Sequence, residues 1–358
     1  MTISRREFTK ATALATVAMV IPNINFGKAE EALILGHDKF KYKIVKNWGI
    51  DNLLKTPVND CHEMVQDSKK RLIFCTTETK NNIIILDKSG KLITSWGHDF
   101  PGVHGLSIAN QNGEESLFIT DTEKKEVYKT TLDGKVLMTL KYPYESQIYN
   151  DPAKVNFTPT ETAIAPNGDI YVADGYGSSY ILVYDAMGKF KNIFGGKDAQ
   201  GEDKLIEAHG VCVDTRDKNN PRIIATSRKE CGFKYYTMDG KLISTHYFKG
   251  SFLCRPVIKG DNLFFPVIWS EYDDSGKWPA WKSQTGYYIV LDKNNKLISA
   301  PGVDKLEYEA GILKHMHQSA KVKGTFKHCH DLCIDDEDSV YIPQWASEKM
   351  FPLKLERV

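Results

Sequence analysis

Four histidines stand in stretches of one form, each followed by any residue and then an apolar one: His62-Glu63-Met64, His104-Gly105-Leu106, His209-Gly210-Val211 and His330-Asp331-Leu332. Two imperfect copies, Thr160-Glu161-Thr162 and Cys254-Arg255-Pro256, fill the gaps, and the six starts are separated by 42, 56, 49, 45 and 76 residues. If such starts converge, His104, His209 and His330 come from alternate units. Three imidazoles then leave one position of a tetrahedral ion open, the layout of a catalytic zinc-type site. His62 holds the same position in the first unit, as a fourth ligand, a partner of the ligands or a lining residue. Asp331 and Glu161 lie beside the starts. With backbone carbonyls of neighbouring units they would suit a hard cation such as calcium; the alternative is a carboxylate paired with Arg255 or solvated.

The elements that must position these residues follow from the pattern after each start. An alternating apolar run leads to a turn of Asp, Asn or Gly and a second run, such as Leu117-Phe118-Ile119-Thr120-Asp121. In the third unit, 161–165, 170–174, 181–185 and 189–194 read as four short strands joined by turn residues. Ser89-Gly90, Asp133-Gly134 and Asp239-Gly240 each precede a strand of the form Lys-x-apolar. Four strands in each 40–50 residues, six times over, predict an all-β six-bladed β-propeller over residues 40–358. Residues 42–49 end in Trp48-Gly49, as the first full unit ends in Trp96-Gly97 and the third in Phe194-Gly195. The last unit offers only three strands, 332–335, 340–344 and 351–356. The N-terminal strand is therefore expected to complete it, closing the ring and removing free sheet edges. Inserts at 142–156, 270–285 and 300–326, the last with His315 and His317, are expected on one face as a rim or as added packing.

The chain begins Ser4-Arg5-Arg6-Glu7-Phe8-Thr9-Lys10, followed by a mostly apolar run to Ile21. That is the pattern of a twin-arginine export signal, with cleavage expected between Asn23 and Glu31, so residues 1–30 are set apart from the fold and the protein is expected in the periplasm or outside the cytoplasm. The apolar run is shorter than the roughly 20 residues a bilayer requires. With 47 Lys plus Arg against 46 Asp plus Glu, the charge gives no case for nucleic acid or an anionic membrane as partner. A closed propeller is expected to be monomeric. Seven cysteines are odd in number for an exported chain, so one or two disulfides and at least one free thiol are expected.

Together, His104-Gly105-Leu106-Ser107-Ile108, Asp174-Gly175-Tyr176, His209-Gly210-Val211, Arg228 and His330-Asp331-Leu332 resemble the peptidyl-α-hydroxyglycine α-amidating lyases, within the NHL-repeat propellers, across nearly all of residues 42–358. The resemblance implies a zinc on His104, His209 and His330. It implies a structural calcium on the Asp331 carboxylate with backbone oxygens at Leu106 and Glu63. Tyr176 would be the catalytic base or metal-side phenolate, and Arg228 a contact to substrate and transition state. The pattern departs in three places. The family's arginine on the second strand of the first blade is replaced by Phe74-Cys75-Thr76-Thr77. His328-Cys329 stands where the family has Met-Pro, adding His328 as a further candidate ligand and opening the site to copper or another transition metal. Gly177 replaces a disulfide cysteine. Two readings follow: a metal-dependent lyase or hydrolase acting on a small-molecule or peptide substrate, or a non-catalytic propeller binding a protein, peptide or glycan with structural metal only. A lactonase-like hydrolase is a third, but those propellers rely on carboxylate and Asn ligands.

Overall fold

The computed structural model describes residues 33–151, 153–276, 280 and 283–358. The arginine pair and apolar run of the export reading lie outside them. Five four-stranded antiparallel sheets follow one another along the chain. Blade one is Cys61–Gln66, Leu72–Thr76, Ile83–Leu86 and Leu92–Trp96; blade two is Val103–Gln111, Glu114–Asp121, Glu126–Thr130 and Val136–Leu140. Blade three is Glu161–Ile164, Ile170–Ala173, Tyr180–Tyr184 and Phe190–Gly195; blade four is Val211–Asp214, Arg222–Ser227, Gly232–Thr237 and Leu242–Tyr247. Blade five is Val257–Lys259, Asn262–Val267, Tyr287–Leu291 and Leu297–Ser299.

The sixth sheet takes Cys333–Ile334, Val340–Ile342 and Leu353–Arg357 from one end of the chain and Phe40–Val45 from the other, with Tyr42 opposite Arg357 and Val45 opposite Lys354. A fifth strand, Ile34–His37, pairs outside it and is one strand more than the repeat pattern supplies. The architecture is an all-β six-bladed propeller. Among the described residues no helix is long and apolar enough to cross a membrane.

Strand alternation builds the core between blades rather than within them. In Ile83–Leu86 all four side chains are buried. Ile83 and Ile85 pack with Val103, Leu106, Leu117 and Ile119 of blade two, while Ile84 and Leu86 pack with Tyr341 and Phe351 of blade six. A continuous apolar run is what a strand sandwiched on both faces requires. The recurrent aromatic-Gly endings link neighbours. Trp48 Nε1 donates to the Lys88 carbonyl in the turn of blade one, and Trp96 Nε1 to Leu132 in the turn of blade two. Gly134 in that second turn has φ +94°, and a Cβ there would lie 2.7 Å from the Trp96 ring, so both the turn and the contact demand glycine.

All seven cysteines are free thiols, which corrects the disulfide expectation. Six are buried, and Cys61, Cys75 and Cys333 fill the inter-blade core as small apolar groups.

Candidate metal centre

In each blade the first strand starts, and the antiparallel second strand ends, at the same mouth of the channel. The histidine starts and the loops after second strands are thus brought to one place. His62 and His104 sit where the register of their strands slips, between Cys61 and Met64 and between Val103 and Leu106. Such an irregularity re-aims a side chain. The glycine of each His-Gly pair has a steric role: a Cβ on Gly105 would lie 2.6 Å from the Thr160 carbonyl of blade three, and one on Gly210 2.6 Å from Arg255 Cα of blade five. Both glycine N–H groups donate to a threonine hydroxyl of their own second strand, Thr120 at 2.6 Å and Thr226 at 2.8 Å.

All four histidines converge. The His104 ring centre lies 4.7 Å from those of His62 and His330 and 4.8 Å from that of His209; His209 and His330 are 4.9 Å apart. His104 Nδ1 faces the Thr160 carbonyl at 2.8 Å, and His330 Nδ1 faces the His62 carbonyl at 3.0 Å. A carbonyl only accepts, so each Nδ1 carries the proton and each Nε2 presents a lone pair, the tautomer a metal ligand needs. Burial, with the Arg228 charge and, for His104, His209 and His330, like charge from other imidazoles, holds all four well below the usual histidine range, His62 at about 3. They are neutral at pH 7.

These residues fit a transition metal. His62 Nδ1 and His330 Nε2 are buried without a hydrogen-bond partner. Ligating nitrogens of His62, His104 and His330 lie within 4.8 Å of one another. His104 Nε2 and His209 Nε2 are 3.2 Å apart, close to the roughly 3.3 Å edge of a tetrahedron whose nitrogens sit about 2.0–2.1 Å from zinc. His62, the sequence's fourth candidate, thus stands in the close trio with His104 and His330, while His209 approaches through His104. His328 is not: its Nδ1 faces the Trp345 carbonyl at 3.1 Å and its Nε2 the Ser283 carbonyl at 2.9 Å, which corrects its place as a possible ligand.

Tyr176 and Arg228 meet the cluster from the loops after the second strands of blades three and four. The phenol oxygen lies 3.1 Å from His104 Nε2, 3.2 Å from His209 Nε2 and 3.4 Å from Arg228 Nη1. The Asp174-Gly175-Tyr176 loop is fixed by Asp174, whose carboxylate accepts from Thr158 N at 2.5 Å, Ser178 N at 2.6 Å and the Tyr149 hydroxyl at 2.6 Å. Tyr149 belongs to the 142–156 insert, which therefore braces this loop. A Cβ on Gly177 would lie 2.0 Å from Asp174 Oδ1, so the loop has no room for the cysteine of the resembling family.

Tyr176 as a residue is 40% exposed, yet burial around its oxygen pushes the phenol up to about 12, with the Arg228 charge opposing. Arg228 is 1% exposed and pairs with Glu207 Oε1 at 3.1 Å; its Nη2 also lies 3.2 Å from Cys254 Sγ. Glu207 and Cys254 were not singled out as site residues from sequence, although Glu207 stands only two residues before His209. Above the cluster opens a cleft of about 640 Å³ lined by His62, His104, Tyr176, Glu207, Trp345 and Thr77, among others. Thr77 ends the stretch that lacks the family's arginine.

The atoms implied for calcium are occupied differently. Asp331 takes a two-point ion pair from Arg255, and the Leu106 carbonyl accepts from the same guanidinium at 3.1 Å. Glu63 uses its side chain here, accepting from Leu106 N at 2.6 Å. These atoms do not fit an added cation. A further group on the blade-five inserts, Glu271, His315 and His317, brings its ligand atoms within 4.8 Å of one another at the surface.

No family model matches the chain. It is 36% identical over 107 residues to a probable peptidyl-alpha-hydroxyglycine alpha-amidating lyase of Caenorhabditis elegans, covering 30% of this chain and 29% of that protein. It is 30% identical over 127 residues to peptidyl-alpha-hydroxyglycine alpha-amidating lyase 1 of Drosophila melanogaster, covering 34% and 22%. Against NHL repeat-containing protein 3 of Homo sapiens it is 23% identical over 199 residues, covering 52% and 56%. The matched part spans under a third of either amidating lyase. Among solved structures, a gluconolactonase from Xanthomonas campestris superimposes with a TM-score of 0.56 at 10% identity, covering 92% of this chain and 98% of that one. A streptogramin B lyase gives 0.50 at 14% identity, covering 84% and 94%. At such identities these likenesses speak for the fold alone.

Proposed function

We propose that this protein is an exported, metal-dependent lyase that cleaves the C–N bond of an N-acyl α-hydroxy amine of the peptidyl α-hydroxyglycine kind, releasing an amide and a carbonyl compound. The observation that carries the reading is the position of the Tyr176 oxygen, within 3.4 Å of two imidazole nitrogens and one guanidinium. The local identity to amidating lyases supports it. His104, His209 and His330, with His62 beside them, would hold a zinc or another transition metal, which when bound polarises a substrate oxygen and lowers the pKa of its proton.

The chain's own groups supply the remainder. Tyr176 would take the proton of the substrate hydroxyl. As the O–H electrons form the carbonyl, the C–N bond breaks, and the proton carried by Tyr176 is returned to the departing nitrogen. Arg228 faces the phenol oxygen and steadies negative charge there and on the substrate; Glu207 fixes its direction. Free Tyr176 is protonated at neutral pH, so its use as a base depends on the positive charge brought by a bound metal. The twin-arginine pattern, belonging to a route that exports folded proteins, is consistent with loading the metal before export.

Stretch 74–77 favours the binding-module reading, because it carries no arginine where the resembling family has its second active-site arginine. The test is elemental analysis of the exported protein and of His209→Ala, together with amide release from an N-acyl α-hydroxyglycine. About one transition metal per chain in the wild type, lost in the variant along with turnover, is expected. No transition metal and no turnover in the wild type would overturn the lyase reading and leave the binding module.

A further inference from the structure

One residue beyond the histidine layer, the first strands bring three carboxylates and one guanidinium to the axis. Asp331 is 0% exposed, Glu63 1% and Glu161 0%. Arg255 Nε donates to Asp331 Oδ1 at 2.8 Å and its Nη2 to Asp331 Oδ2 at 2.6 Å, two parallel bonds of the strong bidentate kind. The remaining N–H groups reach the Leu106 carbonyl at 3.1 Å and the Met64 carbonyl at 3.0 Å. Glu63 Oε2 lies 3.8 Å and Glu161 Oε2 3.7 Å from the same guanidinium. The oxygens therefore come from blades one, two, three and six, and the cation from blade five. Carboxylates and backbone carbonyls converging from several elements are the donor set of a hard divalent ion. Here a side chain supplies the charge, and glycine at 210 leaves space for the Arg255 backbone to approach.

We propose that Arg255 is a built-in cation that takes the place of an axial calcium ion, tying five of the six blades together so that the fold needs no metal at this position. The observation differs from the one behind the lyase reading, and its test does not measure turnover. A tethered guanidinium cannot dissociate, whereas an ion is lost to chelators or dilution. Removing it leaves three buried carboxylates and two carbonyls facing one another, an oxygen cage able to accept calcium.

The experiment compares thermal melting of wild type, Arg255→Ala and Arg255→Lys, each after dialysis against EGTA and again after return of millimolar calcium or zinc. Wild-type melting is expected to ignore calcium, and elemental analysis to find none. Arg255→Ala is expected to melt roughly 10 °C lower, as a broken buried ion pair does in a chain of this size, and to recover part of the loss with calcium but not with zinc. Arg255→Lys keeps the charge without the planar fork and is expected between the two. About one calcium per wild-type chain, or a wild-type melting point lowered by EGTA and restored by calcium alone, would overturn the proposal. So would an Arg255→Ala protein as stable as the wild type. The wild-type arms decide the matter even if neither variant folds.

Discussion

Consider replacing His62 by leucine and following stability against pH in metal-free protein. His62 is 6% exposed, and burial, with the Arg228 charge second, takes its pKa from 6.5 to about 3. The sign follows from proton counting. Between those values the unfolded chain binds a proton that the folded chain refuses, so the contribution is present above 6.5 and is lost as pH falls. Writing the loss as RT ln of the ratio of the two binding polynomials gives about 1.4 kcal/mol between pH 7.5 and 5.5, and about 2.7 kcal/mol by pH 4.5. A leucine side chain does not titrate, so the variant lacks this dependence. The free-energy difference between the two proteins, from urea melts at each pH, should therefore move by those amounts in favour of the variant on acidification. Glu63, Glu161 and Asp331, raised by burial, act in the opposite sense but in both proteins, and drop out of the difference. A difference that stays constant from pH 7.5 to 4.5 would refute the reasoning. It would mean that His62 either titrates normally when folded or opens to water, and the idea of neutral, ready imidazoles would fall with it.

Tyr176→Phe should keep the metal and lower turnover of an α-hydroxyglycine substrate by about 10²- to 10⁴-fold with little change in KM, measured by steady-state amide release; unchanged turnover would remove the tyrosine from the reaction. Gly210→Ala places a methyl 2.6 Å from Arg255 Cα and should cost about 1–3 kcal/mol in a urea melt while displacing His209, read as lower metal content. Asp174→Asn turns an NH₂ toward donors that now meet carboxylate oxygens. It should cost about 1–3 kcal/mol and reduce turnover through the Tyr176 loop, with metal content unchanged, in contrast to Gly210→Ala.

Much of the fold was legible because its causes are local. A strand sandwiched between two blades must be apolar on both faces, and Ile83–Leu86 shows it. A turn with a left-handed residue calls for glycine, as at Gly134. The aromatic-Gly endings could be seen to recur, but not to be clasps onto the next blade, because the acceptors, Lys88 and Leu132, stand 40 and 36 residues away. The same limit applied to the cysteines. An odd count suggested disulfides, yet spacing cannot show that the thiols are dispersed through inter-blade packing.

At the site, the sequence by itself determined which residue types recur at the six starts and that histidines would share one level of the channel, since a repeat puts equal positions at equal heights. Tertiary structure decided which way each ring faces. His62 joins the cluster because its strand slips register, while the two nitrogens of His328 are taken by carbonyls of Trp345 and Ser283. It also decided the charge balance beneath them, where Asp331 meets Arg255 across 76 residues. Pairing between distant charges depends on where six strands converge, and convergence is a property of the packed ring that no single stretch of sequence carries.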